Sequence, residues 1–104
     1  MTVYIIAQLK LTDRAAYERY QRAFAAVFAR FQGKLLVADE APIVLEGAFP
    51  RDKVVVMQFP TREEAERFAN DPEYQAISRD RHAGADTVSV LVRGLQLKAA
   101  EPTR

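Results

Sequence analysis

Several residue types that support common protein chemistries are missing or scarce in this sequence. The 104 residues include no cysteine, no tryptophan, one histidine and four glycines. Without cysteine the chain has no disulfide, no thiolate zinc site and no thiol nucleophile. One histidine cannot build a multi-histidine metal site within a chain, and four glycines are too few for a glycine-rich phosphate loop. We therefore predict no metal and no cofactor.

The charge balance and the hydrophobic runs exclude two classes of partner. There are 15 basic and 14 acidic side chains, and the resulting net charge of +1 gives no basic field for nucleic-acid binding. No apolar stretch approaches the roughly 20 residues that cross a bilayer. The N-terminus enters a strand-like run without the basic region of a signal peptide. We expect a cytoplasmic protein that binds neither nucleic acid nor membrane.

The length and the 49% share of hydrophobic residues suit one domain with one core. We place this domain at residues 1–96. Residues 97–104 lose all hydrophobic periodicity, which predicts a disordered C-terminal tail. β-branched and aromatic residues favour strands, and the predicted strands are residues 3–9, 34–38 resuming at 42–46, 53–59 and 87–93.

Helical spacing and capping residues predict the helices. Thr12 or Asp13 caps a first helix, whose aromatic stripe predicts an end at Gly33. Thr61 begins a capping-box pattern before a second helix. Asp71 precedes a proline at the favourable first position of a third helix, residues 72–83. The element order is therefore β-α-β-β-α-β.

This order predicts an α+β, ferredoxin-like fold: a four-stranded antiparallel sheet with the helices on one face. Strands with water on their second face should alternate apolar and polar residues. Residues 3–6 and 54–57 are instead apolar throughout. An uncovered apolar face of several hundred Å² promotes aggregation. A membrane surface, a ligand or a second chain would cover it, and we favour a two-fold homodimer packed through the sheet face.

Several segments, in this order and at this spacing, are typical of one known family. They are Val3-Tyr4-Ile5-Ile6, Asp13-Arg14-Ala15-Ala16-Tyr17, Gly33-Lys34-Leu35-Leu36-Val37, Val44-Leu45-Glu46-Gly47, Val54-Val55-Val56-Met57-Gln58-Phe59-Pro60 and Asp71-Pro72-Glu73-Tyr74-Gln75 with Arg81. The chain thus resembles the domain of unknown function 1330 family, within the dimeric α+β barrel superfamily, over roughly residues 2–95. The resemblance implies the same dimeric barrel and no established activity. The wider superfamily includes small monooxygenases, haem-degrading enzymes and isomerases that use the cleft between helices and sheet.

Arg81 is the first candidate for ligand binding. At 100° per residue it lies within about 60° of Tyr74 and Ile77 on the third helix, so it points toward the sheet. A guanidinium in that position needs an acceptor. A ligand carboxylate would provide one. Glu46 or Asp86 would provide an alternative acceptor through an internal ion pair, and we favour that structural interpretation.

Glu46 and His82 are the candidate catalytic residues. Glu46 lies in an apolar strand, where burial favours a general base, or else it is a carboxylate that fixes a strand end. His82 lies at the margin of the apolar face. It could act as a general base, or the two copies of His82 in a dimer could contact a metal or haem. A histidine at a helix C-terminus also complements the helix dipole. The structural interpretation is favoured for both.

The tyrosines form a further candidate set for ligand binding. Tyr17 and Tyr20 belong to the aromatic stripe of the first helix, which is more often core than ligand platform. Their hydroxyls, however, need partners when buried. The tyrosines that we expect at the mouth of a cleft are Tyr4, Tyr17 and Tyr20, and Tyr74 is a further candidate for ligand binding. Lys53, in contrast, flanks a predicted exposed turn.

Two functional hypotheses remain open. One is a cofactor-independent oxygenase or isomerase acting on a small organic acid or aromatic compound. It requires a pocket where Arg81, Glu46 and His82 converge. The other is a non-catalytic structural or ligand-binding dimer, in which Arg81 and Glu46 satisfy each other.

Overall fold

A computed structural model of the chain describes residues 1–96. The elements are β1 Val3–Leu11, α1 Arg14–Phe28, β2 Lys34–Asp39, β3 Lys53–Phe59, α2 Arg62–Ala69, α3 Pro72–Gly84 and β4 Ala85–Arg93. They form an antiparallel sheet of order β2-β3-β1-β4. This is the predicted ferredoxin-like α+β fold. The predicted disordered tail, residues 97–104, lies outside the described residues.

Short polar side chains begin all three helices, because each accepts a hydrogen bond from a backbone N–H that the helix leaves unpaired. The bonds are Ala16 N to Asp13 Oδ1 at 3.3 Å, Glu64 N to Thr61 Oγ1 at 3.1 Å and Tyr74 N to Asp71 Oδ2 at 3.0 Å. The predicted capping positions are therefore confirmed. Glu64 differs from the capping-box pattern, since its carboxylate accepts from the backbone N–H of Gln32 at 2.8 Å.

The first helix is shorter than predicted. It ends at Phe28 rather than at Gly33, and a turn follows it. The turn still buries Phe31, which is 7% exposed. Gly33 does not end the helix; it allows the backbone to pass close to two aromatic rings. A Cβ there would lie 2.6 Å from Phe28 Cζ and 2.8 Å from an atom of the Phe59 ring. The chain passes so close to these rings that only glycine fits without a shift.

The predicted continuation of the second strand at residues 42–46 is wrong. β2 ends at Asp39, whose carboxylate accepts from Ala41 N at 2.8 Å. Asp39 already pairs with Val54, at the beginning of β3, so the neighbouring strand offers no partner for later residues. Proline at position 42 also lacks an N–H for a ladder. Residues 42–46 are therefore irregular, although their composition favours a strand.

The sheet has two different faces, since successive side chains in a strand point to opposite sides. Val3, Leu9, Met57 and Phe59 point toward the helices and are buried. We call the opposite side the open face; its apolar side chains are Tyr4, Ile6, Val37, Val54, Val56, Val88, Val90 and Val92. In the single chain Val88 and Val90 are about half exposed, at 46% and 51%. The uncovered apolar surface expected from the strand patterns is therefore present.

One row of the open face crosses all four strands. The register places Val37 beside Val56, Val56 beside Ile6, and Ile6 beside Val90. Every member of this row is a branched aliphatic residue. Such side chains pack well against a second apolar surface, and removing them from water is favourable. Among residues 1–96, no helix has both the length and the apolar character needed to cross a membrane.

Candidate functional site

A cavity of about 450 Å³ lies between the helices and the sheet. Its origin is the size of the residues beneath the helices. One row of the helix-facing side, in strand order, consists of Ala38, Val55, Ala7 and Ser89. These side chains are too small to fill the space beneath the layer of helices. The volume falls in the range of small-molecule sites, whereas ordinary protein cores are packed nearly without voids.

The cavity wall is largely aromatic. Its rings are Tyr17, Tyr20, Phe24, Phe68 and Tyr74. The rings of Phe68 and Tyr74 are 4.2 Å apart between centroids, and those of Tyr20 and Tyr74 are 6.3 Å apart, edge to face. Such packing holds the rings in fixed positions. Ile5, Val55 and Met57 of the sheet add aliphatic floor.

Two of the tyrosine hydroxyls form a buried pair. The Tyr20 and Tyr74 oxygens are 3.0 Å apart, and either can be the donor. Burial, reinforced by the neighbouring Tyr74, raises the pKa of Tyr20 above its ordinary value. The phenol therefore stays protonated at neutral pH and acts as a neutral hydrogen-bond donor or acceptor.

Lys53 is a buried cation in the cavity lining. The residue is 3% exposed, and its Nζ lies 3.5 Å from a carboxylate oxygen of Glu40. The same ammonium lies 4.8 Å from the ring centroid of Tyr17. These contacts offset the desolvation of the charge. Glu40 is shared, because Arg14 Nη1 lies 3.2 Å from its other oxygen.

Arg81 is the second cation of the lining, and it has no carboxylate partner within residues 1–96. Its guanidinium carbon lies 5.7 Å from the ring centroid of Tyr20. Its Nε is buried and lacks a hydrogen-bond partner among the described residues. The predicted ion pair is absent there, because Asp86 binds Arg51 at 3.1 Å and Glu46 lies in the irregular segment.

Thr87 carries the other buried polar atom without a hydrogen-bond partner in residues 1–96, its Oγ1. Thr87 also lines the cavity. Both Thr87 and Lys53 pair with Leu9, so they flank it in one row of the sheet. Sequence reasoning named neither residue as part of a site; it placed Lys53 only beside an exposed turn, at the start of the third strand. The period-two pattern that runs from position 53 through 55 and 57 is the signal that assigns Lys53 to the buried side.

The structure separates the sequence-predicted site residues into two groups. Arg81, Tyr17, Tyr20 and Tyr74 line the cavity. Tyr4 instead lies on the open face, while Glu46 and His82 are exposed and outside the lining. One residue of helix rotates the direction by about 100°, which takes His82 away from Arg81. The predicted convergence of Arg81, Glu46 and His82 is therefore not found, and the catalytic roles of Glu46 and His82 remain predictions.

The arrangement as a whole combines two cations, an aromatic wall and an aliphatic floor.

A model of the family described as Domain of unknown function (DUF1330) matches residues 2–95. The chain belongs to the DUF1330 family. Among curated proteins, none is significantly similar in sequence to this DUF1330 chain.

Solved structures show the same fold at low sequence identity. A protein of unknown function from Rhodopseudomonas palustris is 21% identical to this DUF1330 chain, with a TM-score of 0.77 over 92% of this chain and 84% of that one. SnoaB, a cofactor-independent oxygenase from Streptomyces nogalater, is 17% identical, with a TM-score of 0.66 over 96% and 98%. A dimeric protein of unknown function with a ferredoxin-like fold, from Bacteroides fragilis, is 16% identical, with a TM-score of 0.65 over 89% and 96%.

Proposed function

We propose that this DUF1330 protein is a homodimer that binds a small organic molecule in the cavity between its helices and its sheet. The observation that carries this proposal is the cavity of about 450 Å³ in a position that a core normally fills. Retaining such a space, with polar groups placed in an apolar lining, is characteristic of a binding site.

A thermal-shift screen tests ligand binding. Small aromatic and aliphatic carboxylates, their uncharged amides, and haem are added to the protein, and the melting temperature is recorded. A ligand that binds the folded state raises that temperature according to its concentration and affinity. Ala7→Leu, which places a large side chain in the cavity, should abolish each shift. Shifts that persist in this variant would place the ligand elsewhere and contradict the proposal.

The homodimer is supported by the open face. Its central row is aliphatic across all four strands, and similar structures include proteins described as dimeric and ferredoxin-like. A two-fold dimer covers the same patch on both copies. Sedimentation equilibrium at micromolar concentration should give twice the chain mass of 11.7 kDa. A stable species at the chain mass would contradict it.

Val90→Lys locates the interface. Val90 lies in the central row and is 51% exposed in the single chain, so a lysine there is harmless to a monomer but would be desolvated in the dimer. We expect this variant to shift the equilibrium toward monomer. Ala26→Lys, at an exposed position of α1, is the matched control and should leave the dimer intact.

The second candidate function is an enzyme, a cofactor-independent oxygenase or isomerase. It is favoured by the two cations of the cavity, because preorganised positive charge stabilises an anion that forms when a substrate loses a proton. The structural similarity to the oxygenase SnoaB is compatible with it. Within residues 1–96 the ionisable side chains of the lining are Tyr17, Tyr20, Lys53, Tyr74 and Arg81. Chemistry in this cavity would thus rely on cations and phenols.

Two measurements separate the candidates once a ligand is found by thermal shift. Oxygen uptake that depends on protein and ligand supports an oxygenase. Exchange of ligand C–H protons with deuterated solvent, without oxygen uptake, supports an isomerase. If neither occurs, the protein is a ligand-binding protein without either activity.

A further inference from the structure

The floor of the cavity changes from polar to apolar along the strands. At one end Lys53 and Thr87 flank Leu9 in a single row of the sheet. Two rows further along, Ile5 lies beside Met57. At about 3.3 Å per residue, roughly 13 Å of strand separates the two rows. A ligand that spans this floor meets polar groups at one end and hydrocarbon at the other.

The polar groups lack a full set of protein partners. Arg81 has no carboxylate partner within residues 1–96, and its Nε is buried without an acceptor. The acidic residues near it in sequence are engaged elsewhere: Asp80 binds Arg19 at 3.2 Å and Asp86 binds Arg51 at 3.1 Å. Arg81 as a whole is partly buried, and a guanidinium whose Nε is removed from water without an acceptor is costly, whereas a bound anion would compensate it.

Lys53, the other cation of the lining, is already paired. Glu40 lies 3.5 Å from Lys53 Nζ and 3.2 Å from Arg14 Nη1, so one carboxylate serves two cations. This leaves the cavity region with positive charge in excess. The Thr87 hydroxyl, which has no hydrogen-bond partner among the described residues, is a further donor for an anionic oxygen. Arg81 and Thr87 line the same cavity, so both are available to an anionic group bound there.

The remaining surface of the cavity suits a flat apolar body. Phe24, Phe68 and the edge-to-face pair of Tyr20 and Tyr74 surround it. Aromatic rings favour offset or edge-to-face contacts with another ring. Met57, with its flexible thioether, adapts to irregular shapes at the apolar end of the floor.

We propose that the ligand is a monoanion with a compact aromatic body, whose carboxylate or equivalent anionic oxygen is held by Arg81 and Thr87 while the ring lies against the aromatic wall. This inference rests on the proposed function, since it assigns the chemical class of the ligand of the same cavity. Arg81 selects the charge, because a guanidinium binds a carboxylate through charge-assisted hydrogen bonds that an amide cannot replace.

The test compares 2-naphthoate with 2-naphthamide, which has a similar shape and no charge, by isothermal titration calorimetry. We expect the dissociation constant of the naphthoate to be at least about tenfold lower. Arg81→Gln should erase this difference, and Thr87→Val should reduce it. Arg79→Gln, an exposed position of the same helix, is the matched control and should preserve it. The melting temperature of each variant establishes that it is folded.

The outcomes separate this inference from the proposed function. If both compounds bind equally and Ala7→Leu abolishes both, the cavity is a binding site but the choice of an anion is refuted. If the preference for naphthoate survives in Arg81→Gln, the assignment of Arg81 is refuted. If neither compound binds, or if binding is unaffected by Ala7→Leu, the inference fails; shifts by other compounds in the thermal screen then decide the proposed function separately.

Discussion

Filling the cavity should stabilise this protein while it abolishes ligand binding. Ala7 lies at the centre of the cavity floor, between Val55 and Ser89 in its row, and is 9% exposed. Leucine at this position extends three additional carbon atoms into the space. Most substitutions of this kind in a core are destabilising, because the added atoms have no room. The sign of the effect at Ala7 therefore reports whether the space is open.

The expected size of the effect follows from the added hydrocarbon. Burial contributes about 0.8 kcal/mol per methylene, so three carbon atoms contribute about 2.4 kcal/mol at most. Fixing the leucine side chain costs about 0.5–1 kcal/mol. The net increase in the free energy of unfolding is about 1–2 kcal/mol. For a domain of this size, each kcal/mol raises the melting temperature by about 4–8 °C.

Urea unfolding at one fixed protomer concentration measures the change, since the proposed dimerisation would make stability depend on concentration. Ala65→Leu is the matched control: Ala65 is fully buried at 0% exposure and does not line the cavity. The same substitution there should cost about 1–3 kcal/mol. If Ala7→Leu destabilises the protein as much as Ala65→Leu does, the space beneath the helices is closed in solution and the reasoning fails.

Three further predictions concern the core, a close backbone approach and a helix cap. Tyr20→Phe and Tyr74→Phe should each cost about 1–3 kcal/mol, because each leaves a buried hydroxyl unpaired, and the double variant should cost less than their sum in a double-mutant cycle; additive costs would contradict a coupled pair. Gly84→Ala should destabilise by about 3 kcal/mol in urea unfolding, since a Cβ there would lie 2.5 Å from a backbone nitrogen of α1, and an unchanged midpoint would refute this contact. The hydrogen bond from Arg30 lowers the pKa of Asp71. The stability that the Asp71 carboxylate contributes is therefore present at neutral pH and is lost as the pH falls below about 4, through the lowered pKa. Asp71→Asn should weaken this acid dependence of the melting temperature, and an unchanged pH profile would contradict the role of Asp71.

Local sequence signals were sufficient for the fold. Capping positions such as Thr61 depend on neighbouring residues alone, and the order of strands and helices restricts the topology to very few arrangements. The error at residues 42–46 has a non-local cause. Their composition favours a strand, but a strand needs a partner. Asp39 already pairs with Val54, the second residue of β3, so no residues of β3 are left to pair with residues 42–46. The register between the strands therefore decides where β2 ends, and the sequence of one segment does not reveal that register.

The residues of the candidate site that lie on a helix could be predicted from the sequence. The spacing of Tyr74 and Arg81 on one face of α3 could be read from the sequence, and both line the cavity. Thr87 and Lys53 were missed because they are brought together by pairing with Leu9 in the folded sheet. Composition gives no indication of such a row. The same limitation affected Glu46, whose predicted environment was a strand that does not form.

The two faces of the sheet differ in a way that stability alone does not explain. At one level of the sheet, three strands carry a larger residue on the open face and a smaller residue on the cavity face, namely Ile6 and Ala7, Val37 and Ala38, and Val90 and Ser89. A chain selected only to fold as a monomer gains by the opposite choice, with the larger side chains inside. The observed arrangement leaves space for an occupant beneath the helices and an aliphatic surface for a second copy behind the sheet. Because the same strands carry both, dimerisation would hold in place the floor on which a ligand of this cavity would rest.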